Sequence, residues 1–174
     1  YNEDDRPSIV LADQVKSMIT GGWVIVASAG NNASCRLAWP AALPDVVAVG
    51  AYGPCGPAWF SNFGPWVDAS GPGVDVVAEF PDLGAVVSGS GAKVATIEPT
   101  ATGPGQVLDA SDYSTGWASW SGTSFSAPFV TARLAAELQK SPSVSRQKAI
   151  ARALDAVVRD PDLDRLPYYG TLVP

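Results

Sequence analysis

Not one of the chain's 174 residues is histidine. That absence excludes the ordinary partner of a nucleophilic serine. A hydroxyl attacks a carbonyl well only when a neighbouring base takes its proton, and imidazole is the usual base. Cysteine is nearly as scarce, with two residues, Cys35 and Cys55. Two cysteines in loop-like sequence make no zinc site. No apolar run is long enough to cross a bilayer, which excludes a membrane-spanning helix. Positive charge is the minority, 11 Lys and Arg against 17 Asp and Glu, for a net charge of −6 and a sequence pI near 4.4. This balance argues against nucleic acid as a partner and reads as a solvated acidic surface.

What is present is the composition of a globular domain. Hydrophobic residues make up 47% of the chain, enough to bury a core, and 17 Gly with 15 Pro indicate many turns. An apolar-periodic stretch predicts a helix from Ile9 to Ile19, and apolar runs predict strands at Trp23 to Ser28, Val46 to Ala51 and Val74 to Glu79. Between Phe80 and Trp117 the sequence is rich in Gly, Ser, Thr and Pro around a short valine-containing run. That pattern predicts a surface hairpin and loop at about 81–116, which either borders the substrate cleft or is a surface insertion without a role. A helix follows from Ser124 to about Gln139, and Pro142 opens another, SVSRQKAIARALDAVV, ending near Arg159. Helices alternating with apolar strands imply a mainly parallel sheet covered on both faces. No repeat or linker divides residues 1–174, which read as part of one domain.

Two segments carry chemistry. SGTSFSAP, Ser121 to Pro128, places Ser124 in the first turn of a helix, after a Gly122 turn and beside Thr123. Free backbone N–H groups and the positive helix end collect there and suit a developing oxyanion. Pro128 reads as an early-turn residue whose missing N–H matters little. The plainer alternative makes Ser121, Thr123 and Ser124 competing N-cap residues. Upstream, VIVASAGNN, Val24 to Asn32, reads as a buried strand ending in a Gly-Asn turn. Asn31 then projects from the strand's carboxyl end, where ligands bind in open α/β sheets and where an amide could donate to substrate oxygen. Its alternative is an ordinary turn.

Together these segments resemble the subtilisin-like serine peptidases (subtilases, peptidase family S8), whose nucleophile motif is GTS followed by a small residue and Pro. WPAALPDVVAVGA from Trp39 to Ala51, WFSNFGPWVDASGPGVDVVAEF from Trp59 to Phe80 and the closing YYGTLVP follow the family's order. The resemblance implies an α/β protein, a three-layer α/β/α fold with a mainly parallel sheet, incomplete here. It implies a serine endopeptidase acting through an acyl-enzyme on Ser124, with the Ser124 N–H and the Asn31 amide as oxyanion donors and Thr123 in support. Ala27, Ser28, Ala29 and Gly30 would form one wall of the primary specificity pocket, with Arg36 to Pro40 near its base. Such small apolar walls favour an apolar or aromatic side chain before the scissile bond. No cofactor is required by the resemblance. A structural calcium is the one ion it admits, with Asp68 and carbonyls around Ala41 to Val46 as a weak candidate site. It further implies peptide or protein substrates and a secreted or cell-surface location.

The departures matter equally. In the family the catalytic Asp and His precede the AGN strand, and this chain begins too late to contain them. The expected partner is therefore the missing N-terminal half, in the same precursor or as a separate chain, and the chain alone is expected to be inactive. Asp4 and Asp5 read as acidic residues near a helix start, with Pro7 in its first turn. From Asn31 to Ser124 the chain runs 93 positions (124 − 31), more than compact members use. Cys35 and Cys55, 20 apart (55 − 35), either pair, as suits a secreted peptidase, or stay reduced. Two other classes stand beside the peptidase: a non-catalytic, truncated subtilase-like module, and a sedolisin-type peptidase in which Glu replaces His and Asp replaces the oxyanion Asn. Asn31 and the SFSAP form favour the subtilisin class over the latter.

Overall fold

The computed structural model describes residues 6–79, 94–100, 103–111, 117–140, 143–159 and 163–174. Asp4, Asp5 and Pro142 lie outside them. In chain order the elements are α1 (Ile9–Thr20), β1 (Ile25–Ser28), β2 (Val46–Gly53), β3 (Gly56–Pro57), β4 (Ala69–Pro72), β5 (Val76–Glu79), β6 (Val94–Thr100), β7 (Gly103–Ser111), β8 (Trp117–Trp120), α2 (Thr123–Gln139), α3 (Arg146–Val157), β9 (Arg165–Leu166) and β10 (Gly170–Leu172). The main sheet has the order β1-β2-β4-β10-β9, with β3 as a short antiparallel return on β2. Its first four strands are parallel, and β9 runs against β10.

Strand period 2 sorts the core into two layers of helices. On one face Val47 and Val49 of β2, with Val24 and Val26 around β1, meet Val130 and Leu134 of α2 and Ala153 and Val157 of α3. On the other face Val46, Ile25 and Ala27 meet Ala12, Val15 and Ile19 of α1, which recur at helical spacing. The result is the three-layer α/β/α arrangement. The first six residues of β2 are all buried, as befits an interior parallel strand.

Several expected elements shift. The strand expected from Val74 begins at Val76 and leaves the main sheet altogether, pairing antiparallel with β8. The interior position between β2 and β10 belongs to Ala69–Pro72, whose sequence ASGP reads as a turn. Small side chains suffice there because α2 packs directly above. Helix α1 is capped at Ser8, so Pro7 precedes the cap, and α3 starts at Arg146 after a Ser145 cap. The hairpin expected in the 81–116 insertion is present as β6 and β7, antiparallel with register shifts. Residues 80–93, 101–102 and 112–116 lie outside the described ones.

Candidate active site

Helix α2 starts where β8 ends, and the cap is Gly122, with extended backbone and no side-chain cap bond. The N-cap reading of the hydroxyls therefore fails. Ser121 Oγ accepts from the Asp75 N–H at 2.9 Å, and Thr123 turns to the sheet. Thr123 is fully buried, whereas Ser124 is exposed at the helix start. Pro128 sits inside α2, in its second turn, and there its missing N–H does matter, since the Ser124 carbonyl loses its i+4 donor.

Asn31 lies just past the carboxyl end of β1, half-buried against that helix start. Its Oδ1 accepts two hydrogen bonds from Thr123, one from the backbone N–H at 2.9 Å and one from the hydroxyl at 2.8 Å. Thr123 Oγ1 in turn accepts from the Gly30 N–H at 3.1 Å. With both donors on Oδ1, the orientation of the carboxamide is determined, and Nδ2 is the end left to donate elsewhere. Gly122 eases this approach, since a Cβ there would stand in tight contact, 3.2 Å from Asn31 Nδ2.

Ser124 opens on a groove of about 890 Å³ that Ala27, Ser28, Ala29 and Gly30 wall on one side and Ala127, Pro128 and Thr131 of α2 on the other. Of the segment expected at its base, Ala38, Trp39 and Pro40 line it, and Arg36 and Leu37 face solvent instead. The structure thus places Ser124 and the Ala27–Gly30 wall on one groove, while Asn31 and the buried Thr123 are bonded to each other at the helix start and do not line it.

Two other sites come apart. Cys35 and Cys55 are both exposed and stand as free thiols in this structure. Cys35 is in the loop after Asn31, where its carbonyl accepts from Trp66 Nε1 at 3.3 Å, and Cys55 is in the β2–β3 turn. Asp68 Oδ2 accepts from the Ala48 N–H at 2.8 Å, tying the lead-in to β4 to β2. Burial pushes its carboxyl above the usual range, against that hydrogen bond and the charges of Arg159 and Arg165, which lower it. One carboxylate engaged by a backbone donor and facing two guanidinium charges does not fit calcium. Among the described residues no group of three or more His, Cys, Asp or Glu could hold a metal ion.

One residue carried no role in the sequence. Asn62, wholly buried, donates through Nδ2 to the Ala29 carbonyl at 2.7 Å and accepts at Oδ1 from the Asn32 and Ser34 N–H groups at 3.0 and 3.2 Å. Only its place inside WFSNFG was visible, and nothing in that run marks it as facing the Asn31 turn.

Comparison with known proteins gives a consistent kinship. The profile of the Subtilase family matches residues 2–166. A thermophilic serine proteinase of Bacillus sp. (strain AK1) is 43% identical over 75 residues, 42% of this chain and 19% of that protein. Among solved structures, the prenylagaramide maturation protease PagA aligns with a TM-score of 0.64 at 22% identity, covering 99% of this chain and 55% of that one. The self-cleaved protease domain of PatA aligns with a TM-score of 0.59 at 26% identity, covering 84% and 46%. The chain accordingly spans about half the length of these two structures.

Proposed function

Because the chain belongs to the Subtilase family, we propose that it is the nucleophile-bearing part of a serine endopeptidase that hydrolyses peptide bonds through an acyl-enzyme on Ser124. The observation that carries this reading is the lock of Thr123 on Asn31 Oδ1, which leaves Nδ2 as a donor beside the Ser124 helix start. In the reaction, Ser124 Oγ bonds to the scissile carbonyl carbon while a base takes its proton. The carbonyl oxygen becomes an oxyanion held by Asn31 Nδ2 and the Ser124 N–H, with Thr123 in support. The proton passes to the leaving amine, the C–N bond breaks, and water then hydrolyses the ester by the same steps.

The base has to come from elsewhere, since there is no histidine in the chain. We assign it, with its orienting Asp, to the half of the domain that the chain lacks relative to its structural neighbours, in one precursor or as a separate chain. Two features support that partner. Strand β1 pairs on one side only among the described residues, and all four of its residues are only half-buried, which leaves its other edge as a template for a further strand. The Ser124 groove also runs along that strand. Substrates are peptides or proteins, and the small apolar walls favour an apolar or aromatic residue before the scissile bond.

A non-catalytic module is the second reading, and the lack of histidine favours it. Intact mass with and without a fluorophosphonate probe separates the two. The peptidase reading expects an adduct on Ser124 when the chain is joined to the remainder of the domain and none on the chain alone. Absence of an adduct in the joined form overturns it.

A further inference from the structure

The turn that carries Asn31 is held from two sides. On one side is α2, through Thr123. On the other is Asn62, 0% exposed, whose side chain and backbone together engage residues on both flanks of Asn31. Nδ2 takes the Ala29 carbonyl at 2.7 Å, Oδ1 takes the N–H groups of Asn32 and Ser34, and the Asn62 N–H donates to the Gly30 carbonyl at 2.8 Å. Strand β1 ends at Ser28, and beyond the Ala29 N–H, which still reaches the Val49 carbonyl at 2.7 Å, a side chain supplies the partners of the turn. A carboxamide does so because it carries a donor and an acceptor at one reach. Gly30 completes the fit: its φ is +103°, and a Cβ there would lie 2.6 Å from Asn62 Nδ2.

We propose that Asn62 is a positioning residue of the peptidase reaction, acting through Asn31 by fixing the turn from which its carboxamide reaches the oxyanion. The inference rests on the peptidase reading above. It differs from simple core packing because three hydrogen bonds of the Asn62 side chain fall on the two flanks of Asn31, and an ångström of displacement at an oxyanion donor is costly in rate.

The test is a double-mutant cycle in the enzyme joined to the rest of its domain, with Asn62→Ser and Asn31→Ala singly and together. With Asn31 present, Asn62→Ser is expected to lower kcat roughly ten- to a hundredfold with KM nearly unchanged. With Asn31→Ala already in place, the same substitution should cost less than about twofold, the non-additivity of residues that act as a unit. Equal losses in both backgrounds, or no loss in either, overturn the inference. Should Asn62→Ser fail to fold, Asn62→Thr goes through the same cycle, since it removes the carboxamide while filling nearly the same volume without adding a charge. A joined wild-type enzyme without turnover overturns the peptidase reading and this inference with it. An active enzyme with additive losses overturns this inference alone.

Discussion

Asn31 Oδ1 receives both the N–H and the hydroxyl of Thr123, at 2.9 and 2.8 Å, across 92 positions of sequence. A single buried threonine therefore sets which end of the Asn31 carboxamide is engaged and which is left to donate. Thr123→Val keeps the shape and the backbone bond but removes the hydroxyl, leaving the Gly30 N–H without its acceptor. Urea unfolding should show a loss of about 1–3 kcal/mol, the cost of orphaning a buried polar group. In the joined enzyme kcat should fall as well, because the Asn31 carboxamide is then held at Oδ1 by one bond instead of two.

Gly122→Ala separates geometry from stability. The backbone at Gly122 is extended, with φ 162°, so alanine is not strained there. Its methyl group would press on Asn31 Nδ2 from 3.2 Å. The expected result is a loss of turnover larger than any change in Tm, read by kcat and thermal melting on one preparation. A variant with full activity would mean that the Asn31 carboxamide accommodates the methyl group without losing its place.

Asp68 makes a pH prediction. Burial raises its carboxyl above the ordinary value in spite of Ala48, Arg159 and Arg165, so the folded form holds the proton more tightly than the unfolded one. Its stabilising contribution is therefore complete below roughly pH 4 and is lost as pH rises through the folded value. Asp68→Asn keeps an oxygen for the Ala48 N–H and removes the charge. Its Tm at neutral pH should equal or exceed the wild type's, with a flatter profile from acid to neutral pH. A much lower Tm would show that attraction to the two arginines outweighs desolvation.

Both cysteines should react with a thiol reagent in the folded protein without prior reduction, since both are exposed and free. Mass spectrometry after alkylation should show two labels per chain. One label or none would contradict the structure at Cys35 or Cys55.

The legible parts of the fold were those written in local patterns. The apolar stripe of α1, the uniform run of β2 and the apolar continuation of α2 follow from period and burial, and each lies within a few residues of its expected bounds. Strand β4 was not legible: Ala69–Pro72 has turn residues and becomes an interior strand only because β2 and β10 flank it. The 74–79 run was read as a sheet strand for its valines, yet its partner is β8, far along the chain.

By itself the sequence determined the nucleophile motif around Ser124, the asparagine at the end of an apolar strand, the helices and strands of regular period, and the absence of any histidine. These depend on neighbours within one or two turns of chain, or on composition alone. Only the tertiary structure decided that Thr123 orients Asn31, that Asn62 holds the same turn from 33 positions away at Ala29, that β4 is interior and that the two thiols stay apart. Each of these depends on which distant segments the buried core brings within hydrogen-bonding distance, and no local pattern carries that information.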